Sequence, residues 1–367
     1  MRILFVVCGE GLGHASRSTK LAKYLESKGH HCLFASYDKG YDFIKSQMPS
    51  SPLFMTKREV SLEGDGGYFN LRKTASSILQ IPVSVVKSFF QIRKIIKEEA
   101  VDLVIADTMF AAGVSARTCR IPVLFMTNQN HFGSLADPEG IFWKLSSFII
   151  SFYHYHIPQA ILIPDFAPPH TISEYNFIIK KKYEHKFRYI GPILDKEMDA
   201  WTLTEEIIYA SFGGEPFKLP MYSMLKEIAD TTPDIAINIF STSDNLPSES
   251  ENYHVFKFVP CVFPYLAKAK VAIIHGGLTS LHESLYYGKP IILIIDPYHP
   301  EQGNNGRKVE DAGLGIMLRG DTITKETLLD AIHRAETMKR YDRAALFAVG
   351  NGAENAERVI EEFGKTN

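Results

Sequence analysis

The chain has 367 residues, enough for two domains of ordinary size. Hydrophobic residues make up 45% and charged residues 22%, with 40 Lys+Arg nearly balancing 42 Asp+Glu, which excludes a disordered chain and a globally basic nucleic-acid binder. Cys8, Cys32, Cys119 and Cys261 stand far apart with no CxxC pair, so neither a zinc ribbon nor a disulfide framework is expected, and a reducing cytoplasm fits.

The apolar run Ile3-Leu4-Phe5-Val6-Val7 is too short for a signal peptide and reads as a buried strand. Further strands are expected at Cys32–Ser36, Leu103–Ala106, Val123–Met126 and Ala160–Ile163, with helices over 17–27 and 74–99, the latter interrupted by Pro82. A charged, glycine-rich loop with Gly64, Gly66 and Gly67 lies between Met55 and Leu71, and loops of that length usually cover sites. Leu145 to Pro164 contains no Asp, Glu, Lys or Arg and approaches the roughly 20 residues of a membrane span. Ser146, Ser147, Ser151, His154, His156 and Pro158 dilute it, so a buried helix, a turn at Pro158 and a strand are expected. After Gly191-Pro192 and a polar link, strands resume at Ile207–Phe212, Ile235–Phe240, Val271–Ile274, Ile291–Ile295 and Gly315–Leu318. Helices fit between them near 220–231, 279–287, 304–311 and 325–338. Such alternation predicts two α/β domains with doubly wound parallel sheets, whose ligands bind beyond the carboxyl ends of the strands.

Two loops stand at such ends. Gly9-Glu10-Gly11-Leu12-Gly13-His14 follows the first strand and reads GxGxGH, not the GxGxxG of a dinucleotide site. Asp38 nonetheless falls near the position of a ribose-binding acid, so a nicotinamide enzyme stays open. A histidine presented at a crevice by glycines suits a general base; a surface or capping histidine is the alternative. Asp107 ends the run Leu103-Val104-Ile105-Ala106 and could fix the tautomer of His14, or serve as a helix N-cap. In the second half, His275-Gly276-Gly277-Leu278-Thr279-Ser280 precedes a helix carrying Glu283. A glycine turn, hydroxyls and a helix start form a cradle for a diphosphate. Glu283 could bind vicinal ribose hydroxyls or be a solvated helix residue, and Glu301 with Gln302, at the end of the next strand, could bind sugar hydroxyls.

The stretch 258–315 resembles the nucleotide-binding half of GT-B glycosyltransferases, particularly UDP-glycosyltransferases and the bacterial lipid-intermediate GlcNAc transferase of peptidoglycan synthesis, with their HGGxxTxxE and DQxxNA patterns. The GxGxGHxxR form, Gly9 to Arg17, is similar to a group of largely archaeal and bacterial relatives. The resemblance implies two Rossmann-like domains facing across a cleft: residues 1–194 for the acceptor, 195–350 for the nucleotide sugar, and a C-terminal helix over 351–367 returning to the first. By position it assigns His14 as base and Asp107 as its partner. Gly13, Gly213, Gly214, Phe258, Val259, His275, Gly277, Thr279 and Ser280 would meet the nucleotide and diphosphate, Glu283 the ribose, and Glu301 and Gln302 the donor sugar. Gly214 stands where the family has serine, Ser280 where it has threonine, Glu301 where it has aspartate and Gly306 where it has alanine.

Retaining GT-B enzymes often carry Glu-x7-Glu, and here the first Glu is His275. The resemblance therefore implies an inverting, metal-independent transfer from a UDP-hexose or UDP-GlcNAc donor, with no cofactor. Acceptors would bind the first domain, where the loop 56–72, Phe142-Trp143, Phe148–Tyr155 and Asn128-Gln129-Asn130 could form an aromatic groove. A lipid-linked acceptor and contact with the inner membrane face through Lys180–Lys182 follow by analogy, a solvated lysine face being the alternative. A nucleotide-sugar 2-epimerase and a non-catalytic nucleotide-sugar binder remain as other functions of this fold.

Overall fold

The structure, a computed structural model, describes residues 1–59, 64–65, 68–69, 81–133, 140–213, 218–257, 259, 261–339 and 341–364. In the first half, β-branched and aromatic runs form β1 (Arg2–Val7), β2 (His31–Ser36) and β3 (Leu53–Met55). A small antiparallel hairpin, β4 (Gly64–Asp65) and β5 (Tyr68–Phe69), stands apart. Then come β6 (Leu103–Asp107), β7 (Val123–Met126), β8 (Ala160–Ile163) and β9 (Phe187–Tyr189). Seven of these pair in the order β3-β2-β1-β6-β7-β8-β9, and every pairing is parallel. The chain reverses its winding at β1, with β2 on one side and β6 on the other, which opens a crevice at their carboxyl ends. Register there pairs Val7 with Asp107.

Helices α1 (Gly13–Ser27), α2 (Asp38–Gln47), α3 (Ile81–Glu98), α4 (Phe110–Thr118) and α5 (Ile141–His156) flank this sheet. The expected helix over 74–99 is described from Ile81 on, and its part before Ile81, against which an interruption at Pro82 would be judged, lies outside the described residues. The helix α5 corrects the expectation of burial. Only Trp143, His154 and Tyr155 of this helix are buried, while Ile141 is 86% and Phe148 68% exposed. Apolar residues stand on more than one side of this helix, but only one stripe of it can face the sheet.

The second half builds β10 (Ile207–Ser211), β11 (Ile237–Phe240), β12 (Tyr253–Phe256), β13 (Ala269–Ile274), β14 (Ile291–Ile295) and β15 (Gly315–Arg319). Their order is β12-β11-β10-β13-β14-β15, all parallel, so a second switch point lies between β10 and β13. Around it stand α6 (Leu219–Thr231), α7 (Phe263–Lys268), α8 (Leu278–Tyr286), α9 (Pro300–Asp311), α10 (Lys325–Glu336) and α11 (Arg343–Leu346). Each sheet carries a hydrophobic cluster on both faces, as parallel sheets covered by crossover helices require.

The last helix, α12 (Gly352–Gly364), packs on the first sheet: Ala353, Ala356 and Ile360 share a core with Ile3, Leu21 and Leu25. A Cβ at Gly352 would come 2.2 Å from the carbonyl oxygen of Gly191, so a glycine lets the returning chain cross there.

Candidate active site

On the first domain, Gly9 passes so close to Tyr37 that an added Cβ would lie 2.0 Å from the Tyr37 carbonyl oxygen. The loop then delivers His14 in the first turn of α1. Its Nδ1 lies 2.7 Å from Asp107 Oδ1. The Asp107 carboxylate is fully buried and accepts from Arg17 Nε at 2.8 Å and Ser18 Oγ at 2.9 Å, besides a second bond from Arg17 Nη2. Burial alone would push this carboxyl up, but Arg17 and His14 hold it well below the usual carboxylate range. Helix α4 starts at Phe110 with no side-chain cap, so Asp107 is not its N-cap.

Arg17 Nη2 also lies 3.0 Å from His14 Nδ1. The ionised carboxylate is the closer neighbour and the stronger acceptor, so Nδ1–H donates to Asp107, and Nε2 is the ring nitrogen left for another partner.

On the second domain, β13 ends in His275, Gly276 turns with φ +81°, and Gly277 occupies the N-cap of α8. A Cβ at Gly277 would lie 2.8 Å from His275 Nε2, so the imidazole packs against the turn. Burial and then Lys218 pull His275 down to about 4, leaving it a neutral hydrogen-bonding group at pH 7. Thr279 sits in the first turn of α8, and its Oγ1 is 3.5 Å from a Cβ built on Gly13. The helix of one domain that carries His14 therefore adjoins the glycine turn of the other. Gly213 turns with φ +74°, its carbonyl accepting from Ser241 and Tyr222. Val259 packs on the second domain's core. Gly214, Phe258, Pro260 and most of the loop 56–72 lie outside the described residues.

Two acids meet the first domain directly. Lys20 Nζ is 2.8 Å from Glu283 Oε1, each side chain 12% exposed. Asn128 Nδ2 donates to Glu301 Oε1 at 3.0 Å. Glu301 and Gln302 do not end a strand, because α9 already starts at Pro300, whose fixed φ suits a first helical turn. The Gln302 side-chain oxygen accepts from the Asp296 backbone N–H at 3.0 Å, which leaves only its NH2 end for a ligand. Beside Arg17, Thr279 and Glu283 the cleft holds a cavity of about 10 Å³.

Residues 236–360 match the family model described as glycosyltransferase family 28 C-terminal domain, and residues 1–173 match that described as glycosyl transferase family 1. The chain is 26% identical over 383 residues to an uncharacterized glycosyltransferase of Methanosarcina acetivorans, covering 100% of this chain and 97% of that one. It superposes on the glycosyltransferase of kitacinnamycin with a TM-score of 0.70 at 17% identity, covering 99% of each chain. The match to MurG of Acinetobacter baumannii has a TM-score of 0.58 at 16% identity, covering 100% and 99%. The chain is a GT-B glycosyltransferase.

Sequence reasoning missed three parts of this glycosyltransferase's cleft. Lys218, just before α6, is 6% exposed and acts electrostatically on both His275 and His299; a lone lysine outside a motif gives no signal. His282 Nε2 lies 2.9 Å from Asp165 Oδ1, a buried pair that ties α8 to the end of β8. Arg17 stands in the GxGxGHxxR form, yet nothing in the spacing tells that it grips Asp107.

Proposed function

We propose that the enzyme is inverting and metal-independent and moves a hexosyl or N-acetylhexosaminyl group from a UDP-sugar to an acceptor hydroxyl. The observation that carries this reading is the His14–Asp107 contact at 2.7 Å on a helix adjoining the Thr279 turn. His14 Nε2 takes the acceptor proton while the acceptor oxygen bonds to the anomeric carbon. The bond from that carbon to the diphosphate oxygen breaks, UDP leaves with the electron pair, and Asp107 stabilises the imidazolium. The leaving charge meets the amides at the start of α8, the hydroxyls of Thr279 and Ser280, and Lys218. Glu283 takes the ribose, with Glu301 and the Gln302 amide on the donor sugar.

The acceptor is lipid-linked, and the protein works at the inner membrane face. Leu145, Phe148, Ile149 and Phe152 of α5 and Val86 and Phe90 of α3 are exposed, beyond the scattered apolar residues of an ordinary surface. Lys144 and Lys180–Lys182 are exposed nearby in the chain and would favour anionic headgroups. A cavity of about 260 Å³ between Phe148, Phe152, Tyr155, Tyr183 and Lys180 suits part of an apolar acceptor. No helix among the described residues is long and apolar enough to cross a membrane.

The test is nucleotide release from UDP-, GDP- and dTDP-sugars with and without polyprenyl phosphate and glycolipid acceptors. Release that depends on a UDP-sugar and rises with a lipid acceptor is expected. Binding without turnover on the whole panel would overturn the reading.

A further inference from the structure

Arg17 is 5% exposed, and its guanidinium faces groups of both domains. Nε and Nη2 hold the two oxygens of Asp107, and Nη2 stands 3.0 Å from His14 Nδ1. Nη1 donates to Asn128 Oδ1 at 2.5 Å, and the other end of that amide donates to Glu301 at 3.0 Å. A continuous polar path thus runs from His14 through Asp107, Arg17 and Asn128 to Glu301. The planar fork of an arginine serves two carboxylate oxygens and a third acceptor in a fixed geometry that a lysine ammonium does not impose.

We propose that Arg17 is a positioning residue that sets the proton affinity of His14 by compensating the charge of Asp107, and that Asn128, anchored on Glu301, holds the guanidinium in place. The proposal rests on the reading of His14 as base. A lone carboxylate 2.7 Å from His14 would favour the imidazolium, which cannot take a proton; a carboxylate already paired with a guanidinium favours it less. The other groups facing this cluster leave the balance to that pair. Cys8 is pushed up to about 12 by burial and is neutral, Glu283 is paired with Lys20, and His282 is held by Asp165. Glu301 bears on Arg17 from α9.

The test is a pH titration of the histidine side-chain nitrogens by NMR on the full, isotope-labelled chain, with the His14 signal assigned by its loss in His14→Ala. Arg17→Gln is expected to raise the His14 midpoint by about one pH unit. Asn128→Ala moves it in the same direction by less, and adding Asn128→Ala to Arg17→Gln moves it no further. A midpoint in Arg17→Gln equal to that of the unmodified chain, or shifts of the two substitutions that add, would overturn the proposal. Arg17→Lys keeps the charge without the fork and carries the test if Arg17→Gln does not fold: Asn128→Ala is then expected to have no effect on the midpoint, and an undiminished effect overturns the coupling. Turnover separates the two claims. Full activity in His14→Ala removes the base itself, whereas an inactive His14→Ala beside an unmoved Arg17→Gln midpoint removes only the role of Arg17.

Discussion

Replacing Asp107 by Asn leaves shape nearly unchanged and removes one charge and one acceptor. Arg17 donates to both oxygens of Asp107, so one arm of the guanidinium must then face an NH2 group. With that NH2 on the Oδ1 side it also points at His14 Nδ1, which can only accept from it, and the ring is forced into the tautomer that carries its proton on Nε2. Removing one partner of a buried pair costs about 3–5 kcal/mol; because Arg17 keeps Asn128, the lower end, about 3 kcal/mol, is expected. That corresponds to a fall in Tm of roughly 6–12 °C for a domain of this size, read by circular dichroism. The tautomer change should lower kcat by about 10³–10⁴, read by UDP release below the new Tm. A folded Asp107→Asn enzyme with kcat within tenfold of the parent would refute the reasoning.

Burial lifts Glu59 to about 7, so the folded chain keeps a proton that the unfolded chain has released above about pH 4.5. That opposes folding as pH rises from 4.5 to 7, and Glu59→Gln is expected to gain up to roughly 3 kcal/mol at pH 8 and almost nothing at pH 4, measured by urea unfolding; equal gains at both would count against it. Lys218→Ala should raise the Kd for UDP about tenfold or more in calorimetry while leaving that for uridine unchanged, and equal weakening of both would argue against a diphosphate contact. The pair Phe148→Asp and Phe152→Asp should abolish co-sedimentation with vesicles containing anionic lipid without lowering Tm, because both side chains are exposed; unchanged co-sedimentation would remove α5 from the membrane face.

The positions of His14, Asp107 and the 275–283 cradle were legible because a strand, a glycine turn and a helix start fix where a side chain can point. Three strands of the two large sheets were not: Leu53–Met55, Phe187–Tyr189 and Tyr253–Phe256 are short segments of mixed character at sheet edges, held by pairing with distant neighbours. The start of α9 is not legible either, because Glu301, Gln302 and Gly303 look like loop residues, whereas Pro300 already begins the helix. Contacts between domains, such as Lys20 with Glu283 and His282 with Asp165, leave no local pattern at all. Composition likewise cannot tell a buried apolar helix from an exposed one such as α5.

Calorimetric titration with UDP alongside single-turnover release from the UDP-sugar, for the parent, His14→Ala and Glu283→Ala, separates holding the donor from reacting it. His14→Ala should bind UDP like the parent and turn over at least a hundredfold more slowly, while Glu283→Ala should lose most of its UDP affinity. Parent-like turnover in His14→Ala, or parent-like UDP affinity in Glu283→Ala, would contradict the account.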